Sequence, residues 1–338
     1  MSISSTAGAE SLAPRLKFLA IIEDDLQKVE NRLEDELESR IETAYAASNH
    51  ILKAGGKRLR PALVLLSARA CTGKSASDRL VDVAASAELV HMATLLHDDV
   101  IDEAESRRGR TTANSIWGNK ASVLTGDYML SKAFSLLTRS ASPRVLRAVA
   151  EAAVKMCEGE IMQIELRRRQ DPTIESYLEM IQDKTAAFMS MCCRIGALCV
   201  SASTKTEAAL SLYGRNLGLA FQITDDLLDL IGNPKVTGKP IGGDIREGKA
   251  TLPIILATIR ASQQERVSIW QIIASGSAST KDIEFVRRVA EDTGALEETR
   301  SVAEKFAADA VEKLKELPDS PALASLRELA EYILSRDR

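Results

Sequence analysis

The stretch that decides the fold reads AELVHMATLLHDDVIDEAESRRG and covers residues 87–109. Its centre carries three acids, Asp98, Asp99 and Asp102. Each residue of a helix turns about 100°, so the three carboxylates fall within one arc of about 100°, with Asp98 and Asp102 one turn apart. Acids this close repel one another. Hard oxygen ligands on one helix face suit Mg²⁺, which keeps several waters and bridges to phosphates.

A single DDxxD pattern is most often a solvated acidic face. The chain repeats the pattern, however, in FQITDDLLD at residues 221–229, which places Asp225, Asp226 and Asp229 at the same spacing. Both copies follow an apolar approach, and a basic segment follows each copy. The repetition more than a hundred residues apart favours a paired metal site over two solvated faces.

The composition favours a helical protein that does not bind nucleic acid. The chain has 338 residues, of which 45% are hydrophobic and only 4% aromatic, and this balance favours helices over sheets. The net charge of −4 argues against general affinity for nucleic acid. The five cysteines show no CxxC pairing, which indicates reduced thiols in a cytoplasmic protein. No apolar run is expected to span a bilayer.

The patterning predicts an all-α protein. Residues 1–12 are expected to be a disordered tail, and residues 13–338 a single all-helical domain. Helices are predicted near 16–37, 41–52, 61–71, 77–103, 121–138, 143–169 and 173–201, and from Thr206 through the second acid motif, with further helices after 248. The segments 107–118 and 233–248 are predicted loops, the second being rich in Gly and Pro. Two acid motifs suggest two facing halves of a helical bundle.

Several cations have both an ordinary and a functional interpretation. Arg107 and Arg108 follow the first acid motif as a basic loop, yet beside a diphosphate they would offer bidentate donors. Lys57 and Arg60 are three residues apart, so they are expected to share a helix face while Arg58 points elsewhere. His91 lies two turns before Asp98 and would ordinarily be a core or capping residue.

Seven motifs together resemble the trans-isoprenyl diphosphate synthases, and most closely the long-chain, octaprenyl-type polyprenyl synthases. They are GGKRLRP (55–61), LVHMATLLHDDVIDEAESRRG (89–109), GD (126–127), GE..Q (159–163), DKTA (183–186), FQITDDLLD (221–229) and GKPIGGDIREGKATLP (238–253). The resemblance implies a large helical bundle of the isoprenoid synthase type with a central cavity. It also implies several Mg²⁺ ions per site and a homodimer.

The resemblance also assigns roles to individual residues. The metal ligands it implies are Asp98, Asp99 and Asp102 on one wall and Asp225, Asp226 and Asp229 on the other, with Asp229 the one that often acts through water. The allylic diphosphate is assigned to Arg107, Lys184, Lys239 and Lys249, the two last on a mobile lid. Isopentenyl diphosphate is assigned to Lys57, Arg60, His91 and Arg108. Thr185 and Gln222 are expected to direct oxygen dipoles toward the carbocation.

The activity implied is condensation of isopentenyl diphosphate with an allylic diphosphate, farnesyl or geranylgeranyl, to give an all-trans polyprenyl diphosphate. Ala93 and Thr94 precede the first acid motif, and small residues there indicate a deep tunnel and a product in the octaprenyl to decaprenyl range, for a quinone side chain. A shorter-chain farnesyl or geranylgeranyl diphosphate synthase and a non-catalytic subunit of a heteromeric synthase remain alternatives. A greasy product could draw the protein to a membrane surface.

Overall fold

The computed structural model describes residues 16–107, 109–169, 172–232 and 241–335. The predicted tail at 1–12 therefore lies outside the described residues. After a 3₁₀ turn at Lys17–Ile22, the helices are α1 (Glu23–Glu36), α2 (Glu42–Lys53), α3 (Leu59–Thr72), α4 (Asp78–Ile101), α5 (Ala113–Trp117), α6 (Asn119–Ser140), α7 (Pro143–Arg168), α8 (Ile174–Ile181), α9 (Ala187–Cys199), α10 (Thr204–Ile231), α11 (Gly243–Arg246), α12 (Leu252–Arg260), α13 (Gln263–Ser275), α14 (Thr280–Asp292), α15 (Ala295–Lys313) and α16 (Pro321–Leu334). The all-α prediction is confirmed.

A short hairpin corrects the loop predicted at 107–118. Strands β1 (Ser106–Arg107) and β2 (Arg110–Thr111) pair antiparallel, and α5 follows them. Gly109 has a φ of +73°, a backbone conformation that glycine supplies without steric cost in the turn of such a hairpin. The hairpin directs Arg107 back toward the end of α4. Two-residue strands of this kind carry no alternation that a sequence pattern could reveal.

The start of α3 contradicts the helix face predicted for Lys57 and Arg60. Helix α3 begins at Leu59, and Arg58 before it has a left-handed backbone with φ of +48°. Lys57 therefore lies outside the helix that carries Arg60. Arg58 does point elsewhere, as predicted, because its guanidinium donates to Glu30 at 2.6 Å and to Glu88 at 2.9 Å. These contacts fix the unusual backbone at the entrance to α3.

Two helix starts later in the chain follow ordinary capping chemistry. Thr173 caps α8 as predicted, and its hydroxyl accepts a hydrogen bond from the Ser176 amide. Helix α10 begins two residues before the predicted Thr206, because the Ser203 hydroxyl caps it by accepting the Thr206 amide. Between α8 and α9 the chain forms a π-helical turn, Gln182–Ala186, inside the helix predicted as one unit. Such turns often occur at functional sites.

Helix α4 is buried along most of its length. It packs most extensively on α6, and α10 packs most extensively on α9 and α15. One apolar core joins α3, α4, α6, α9 and α16, while a second joins α8, α10 and α12–α15. By length and composition α4 could cross a membrane, which corrects the expectation that no apolar run is long enough. However, 78% of its most apolar 18-residue segment is buried within the protein. Its apolarity is that of a core helix.

Candidate active site

The two acid motifs meet at one cavity of about 510 Å³ between α4, α7, α9 and α10. Asp98 of the first motif and Asp225 of the second both line it, together with Arg107, Lys184 and Gln222. A volume of this size lies within the range of pockets that bind a small organic ligand. The structure therefore brings together the residues that the sequence grouped, although the two motifs are more than a hundred positions apart.

The three acids of the first motif have three different environments. Asp98 lines the cavity, and burial raises its pKa to about 6 while the nearby Lys184 ammonium opposes that rise. Asp99 is buried and accepts a hydrogen bond of 2.7 Å from Nε of Arg107; burial raises its pKa and Arg107 opposes the shift. Asp102 accepts one of 3.2 Å from Nζ of Lys249. The three acids therefore do not share one ligand-facing surface: Asp98 faces the cavity, whereas Asp99 and Asp102 bind cationic side chains.

The second motif is anchored from behind. Both carboxylate oxygens of Asp226 accept hydrogen bonds, one of 2.6 Å from the Tyr177 hydroxyl and one of 2.8 Å from the Gln222 amide. Burial raises the pKa of Asp226 to about 7, against these two hydrogen bonds. Asp229 accepts the backbone N–H groups of Gly243 and Asp244 at 3.1 and 3.0 Å. Asp229 therefore also fixes the start of α11.

The π-helical turn presents two side chains to the cavity. Lys184 pairs with Glu160, and its ammonium donates to Oε1 of Gln163 at 3.2 Å, so its charge is held inside the site rather than by solvent. The Thr185 hydroxyl donates to Oε1 of Gln222 at 2.9 Å, which joins the two residues predicted to supply oxygen dipoles. The turn lies against Gly159 of α7, where an added Cβ would stand 2.3 Å from the Lys184 amide nitrogen. Only glycine permits this approach.

A smaller cavity of about 110 Å³ continues from the first, and Lys184 and Gln222 line both. Its other polar residues are Gln163, Arg167, Asp226, Asp244, Lys249 and Thr251. Lys249 thus lies at the site as predicted, paired with Asp102 of the opposite motif and with Glu247. Lys239, the other predicted lid lysine, lies outside the described residues.

The group assigned to isopentenyl diphosphate is only partly assembled around the cavity. Arg60 and His91 both line it, and the Arg60 guanidinium lies 5.9 Å from the centre of the Phe221 ring. Lys57 is absent from its lining among the described residues, and its ammonium lies 5.0 Å from the centre of the Tyr332 ring. Arg108 lies outside the described residues. Ala93 and Thr94, the predicted chain-length positions, both line the cavity.

The donors at the site fit a hard divalent cation that brings its own water. Within the described ranges no three acidic, histidine or cysteine side chains converge into a ready-made cage. Mg²⁺ typically binds through one or two carboxylates together with waters and substrate phosphates, so it needs no such cage. Asp98 and Asp225 face the shared cavity, and the raised pKa of Asp98 marks a carboxylate whose charge a cation would stabilise.

Three site residues received no role in the sequence reasoning, although Glu160 stands in the GE..Q motif. Tyr177, Glu160 and Arg167 all contact predicted residues: Asp226, Lys184 and Asp102, respectively. A buried tyrosine hydroxyl requires a hydrogen-bond partner, so Tyr177 on the amphipathic α8 could have been predicted to form one. The sequence could not identify Asp226 as that partner, because α8 and α10 are brought together only by the fold.

An all-helical bundle whose paired acid motifs and surrounding cations face one cavity has the architecture of an isoprenoid synthase. The family model for polyprenyl synthetases matches residues 41–290. The chain is 36% identical over 318 residues to component 2 of heptaprenyl diphosphate synthase from Geobacillus stearothermophilus, covering 94% of this chain and 98% of that one. Matched octaprenyl, nonaprenyl and short-chain synthases have 34% to 38% identity.

Solved structures agree with the sequence comparison. A decaprenyl diphosphate synthase from Rhodobacter capsulatus superposes with a TM-score of 0.90 at 37% identity, covering 96% of this chain and 100% of that one. A polyprenyl synthase from Caulobacter crescentus, in complex with calcium and isoprenyl diphosphate, gives 0.91 at 36% identity, covering 95% and 97%. The chain belongs to the polyprenyl synthetase family. It is a prenyltransferase, as the motifs predicted.

Proposed function

We propose that the protein condenses isopentenyl diphosphate with farnesyl or geranylgeranyl diphosphate and makes a long all-trans polyprenyl diphosphate, in the octaprenyl to decaprenyl range. The observation that carries the proposal is the single cavity lined by Asp98 and Asp225, by Arg107 and Lys184, and by the small residue Ala93. A diphosphate held at the acid motifs would leave its prenyl chain free to extend past Ala93.

The residues around the cavity match the charges that develop in this reaction. Loss of diphosphate from the allylic substrate builds negative charge on the leaving group, which fixed cations stabilise. Arg107 and Lys184 line the cavity, and Lys249 lines its continuation, so the three would bind that group from different sides. Mg²⁺ bound at the acid motifs would neutralise the same leaving group as a Lewis acid.

The carbocation left behind needs a dry site with oxygen dipoles directed at it. The Thr185 hydroxyl donates to Oε1 of Gln222, and both side chains line the cavity. The lone pairs that this hydrogen bond leaves over on the two oxygens would be available to the carbocation. The Gln222 amide donates in turn to Asp226, which fixes the orientation of the amide. We assign Thr185 and Gln222 to carbocation stabilisation. The released diphosphate is the base that we assign to the final proton.

The chain-length proposal depends on where the side chains that form the cavity wall are small. Ala93 lies five residues before Asp98, about 7.5 Å along α4, and Leu130 of α6 lies across the same cavity. Met92, by contrast, is buried in the main core. An alanine at this point leaves room for successive isoprene units, whereas an aromatic ring would form a floor.

The test is an incubation with Mg²⁺, labelled isopentenyl diphosphate and farnesyl diphosphate, followed by dephosphorylation and chromatographic sizing. A single long polyprenol supports the proposal. A product one or two units longer than the starter would favour the shorter-chain alternative. No incorporation with any allylic starter would refute catalysis by this chain alone. It would favour a heteromeric synthase, because the Geobacillus relative is one component of such an enzyme.

We further propose a cytoplasmic homodimer that contacts membranes only to release its product. Val154 and Ile161 lie seven residues apart on one face of α7 and are 57% and 58% exposed, and Leu124 of α6 is 66% exposed. Exposed apolar side chains grouped on neighbouring helices favour burial against a second copy. Light scattering of the purified chain tests this, because a monomer at micromolar concentration would contradict it.

A further inference from the structure

A separate cavity of about 230 Å³ lies between α7, α9 and α10. It shares no lining residue with the two cavities of the active site. Gln182 and Asp183 of the π-helical turn line it, whereas Lys184 and Thr185 of the same turn line the active site. One turn of backbone therefore separates the two places.

The cavity contains an arginine whose charge is balanced by no acid. Arg215 is partly buried, and its Nε and one terminal nitrogen both donate to Oε1 of Gln182, the former at 3.0 Å. Within the described parts of the chain no carboxylate lies at ion-pair distance from Arg215. A partly buried guanidinium bound only to a neutral amide keeps its full charge and most of its donors for another ligand.

Neighbouring groups add hydrogen-bond donors and a second cation to the cavity around Arg215. The Ser190 and Ser211 hydroxyls lie 2.9 Å apart, and both line the cavity. Lys155, half exposed, pairs with Asp183 at 2.8 Å. The remaining charged lining residues pair with each other: Arg194 lies 3.8 Å from the largely exposed Glu151, and it also lies 2.9 Å from Glu207. Arginine, lysine and paired hydroxyls are the groups that bind phosphate oxygens.

We propose that this second cavity, which we call the Arg215 site, binds free inorganic diphosphate; the identity of the ligand rests on the proposed function, in which each turnover releases one. The cavity has less than half the volume of the active-site cavity, and eight of its twelve lining residues are polar or charged, so it suits an anion without a prenyl chain. Arg215 and Lys155 hold Gln182 and Asp183 at rest. An anion that draws these two cations away releases the turn that carries Lys184.

The direct test is a calorimetric titration of inorganic diphosphate in a chelating buffer. The full chain carries Lys57→Gln, Arg60→Gln and Lys184→Gln, which remove cations of the proposed active site. One equivalent of diphosphate should still bind, and adding Arg215→Gln or Lys155→Gln should weaken it at least tenfold, since charge-assisted hydrogen bonds are lost. Arg260→Gln is the matched control, because Arg260 pairs with Glu298 and lines none of the three cavities. Equal melting temperatures show that each variant folds.

A second arm measures inhibition of turnover. In the wild-type chain, diphosphate should inhibit with a noncompetitive component against the allylic substrate. In Arg215→Gln only the competitive component should remain. Isopentenyl diphosphate should bind the Arg215 site at least tenfold more weakly than diphosphate; equal affinity would mean that a prenyl headgroup is the ligand and overturn the choice of free diphosphate. An affinity for diphosphate that Arg215→Gln and Lys155→Gln both leave unchanged would overturn the site itself. The calorimetry needs no turnover, so loss of the proposed activity would leave its result interpretable.

Discussion

Replacing Gly159 by alanine should uncouple the π-helical turn from the active site. The Cβ of that alanine would lie 2.3 Å from the Lys184 nitrogen, 2.8 Å from its Cα and 2.9 Å from the Asp183 carbonyl carbon. All three are backbone atoms, so no side chain can rotate away. Restoring an ordinary contact of 3.4 Å requires a shift of about 1 Å between α7 and the turn (3.4 − 2.3).

The energetic and catalytic effects of this shift differ in size. Overpacking of a core typically costs about 1–3 kcal/mol, and the better helix propensity of alanine offsets about 1 kcal/mol of that cost. We therefore expect a loss of about 0–2 kcal/mol in the free energy of unfolding. A 1 Å displacement of Lys184 and Thr185 should lower kcat about 100-fold.

The matched control is Gly196→Ala. Its Cβ would lie 2.3 Å from the Val64 carbonyl oxygen, an equally close backbone contact, but about 18 Å along the helix from Lys184. Thermal unfolding and steady-state turnover of both variants are compared. We expect similar losses of melting temperature, with kcat of the control within about threefold of the wild type. A Gly159→Ala enzyme as active as the wild type, or an equal loss of kcat in both variants, would refute the reasoning.

Three further predictions follow from the site. Tyr177→Phe removes the 2.6 Å hydrogen bond to Asp226, so we expect weaker Mg²⁺ activation, measured as a rise of about tenfold in the metal concentration for half-maximal rate, with little change in melting temperature. Ala93→Phe places a ring in the cavity, and chromatography should show a shorter product at an undiminished rate of first condensation. Burial raises the pKa of Asp98 to about 6 and that of Asp226 to about 7. Between about pH 4 and 7 the metal-free folded protein therefore binds protons that the unfolded chain releases, so its melting temperature should fall as the pH rises through this range. Over the same range the carboxylates lose their protons, so Mg²⁺ affinity should rise up to about pH 8 and then level off. A melting temperature that rises over this range would contradict the pKa shifts.

Local features of the sequence were enough to predict most helices. The period of apolar residues and the helix start at Thr173 each act within a few residues, so their effects are visible in the order of residues alone. The errors arose where a distant partner overrides local preference. Arg58 takes a left-handed backbone because Glu30 and Glu88 hold its side chain, and this excludes Lys57 from α3.

The sequence by itself determined the class of the fold, the family and the chemistry of the donors, because acid spacing and motif identity are properties of the chain order. Only the tertiary structure decided how those donors are arranged. It turns Asp98 toward the cavity while Asp99 and Asp102 bind Arg107 and Lys249, and it brings Tyr177 behind Asp226. These contacts join helices that are far apart in the chain, and burial of their apolar faces, which has no directional preference, fixes which side chains finally meet.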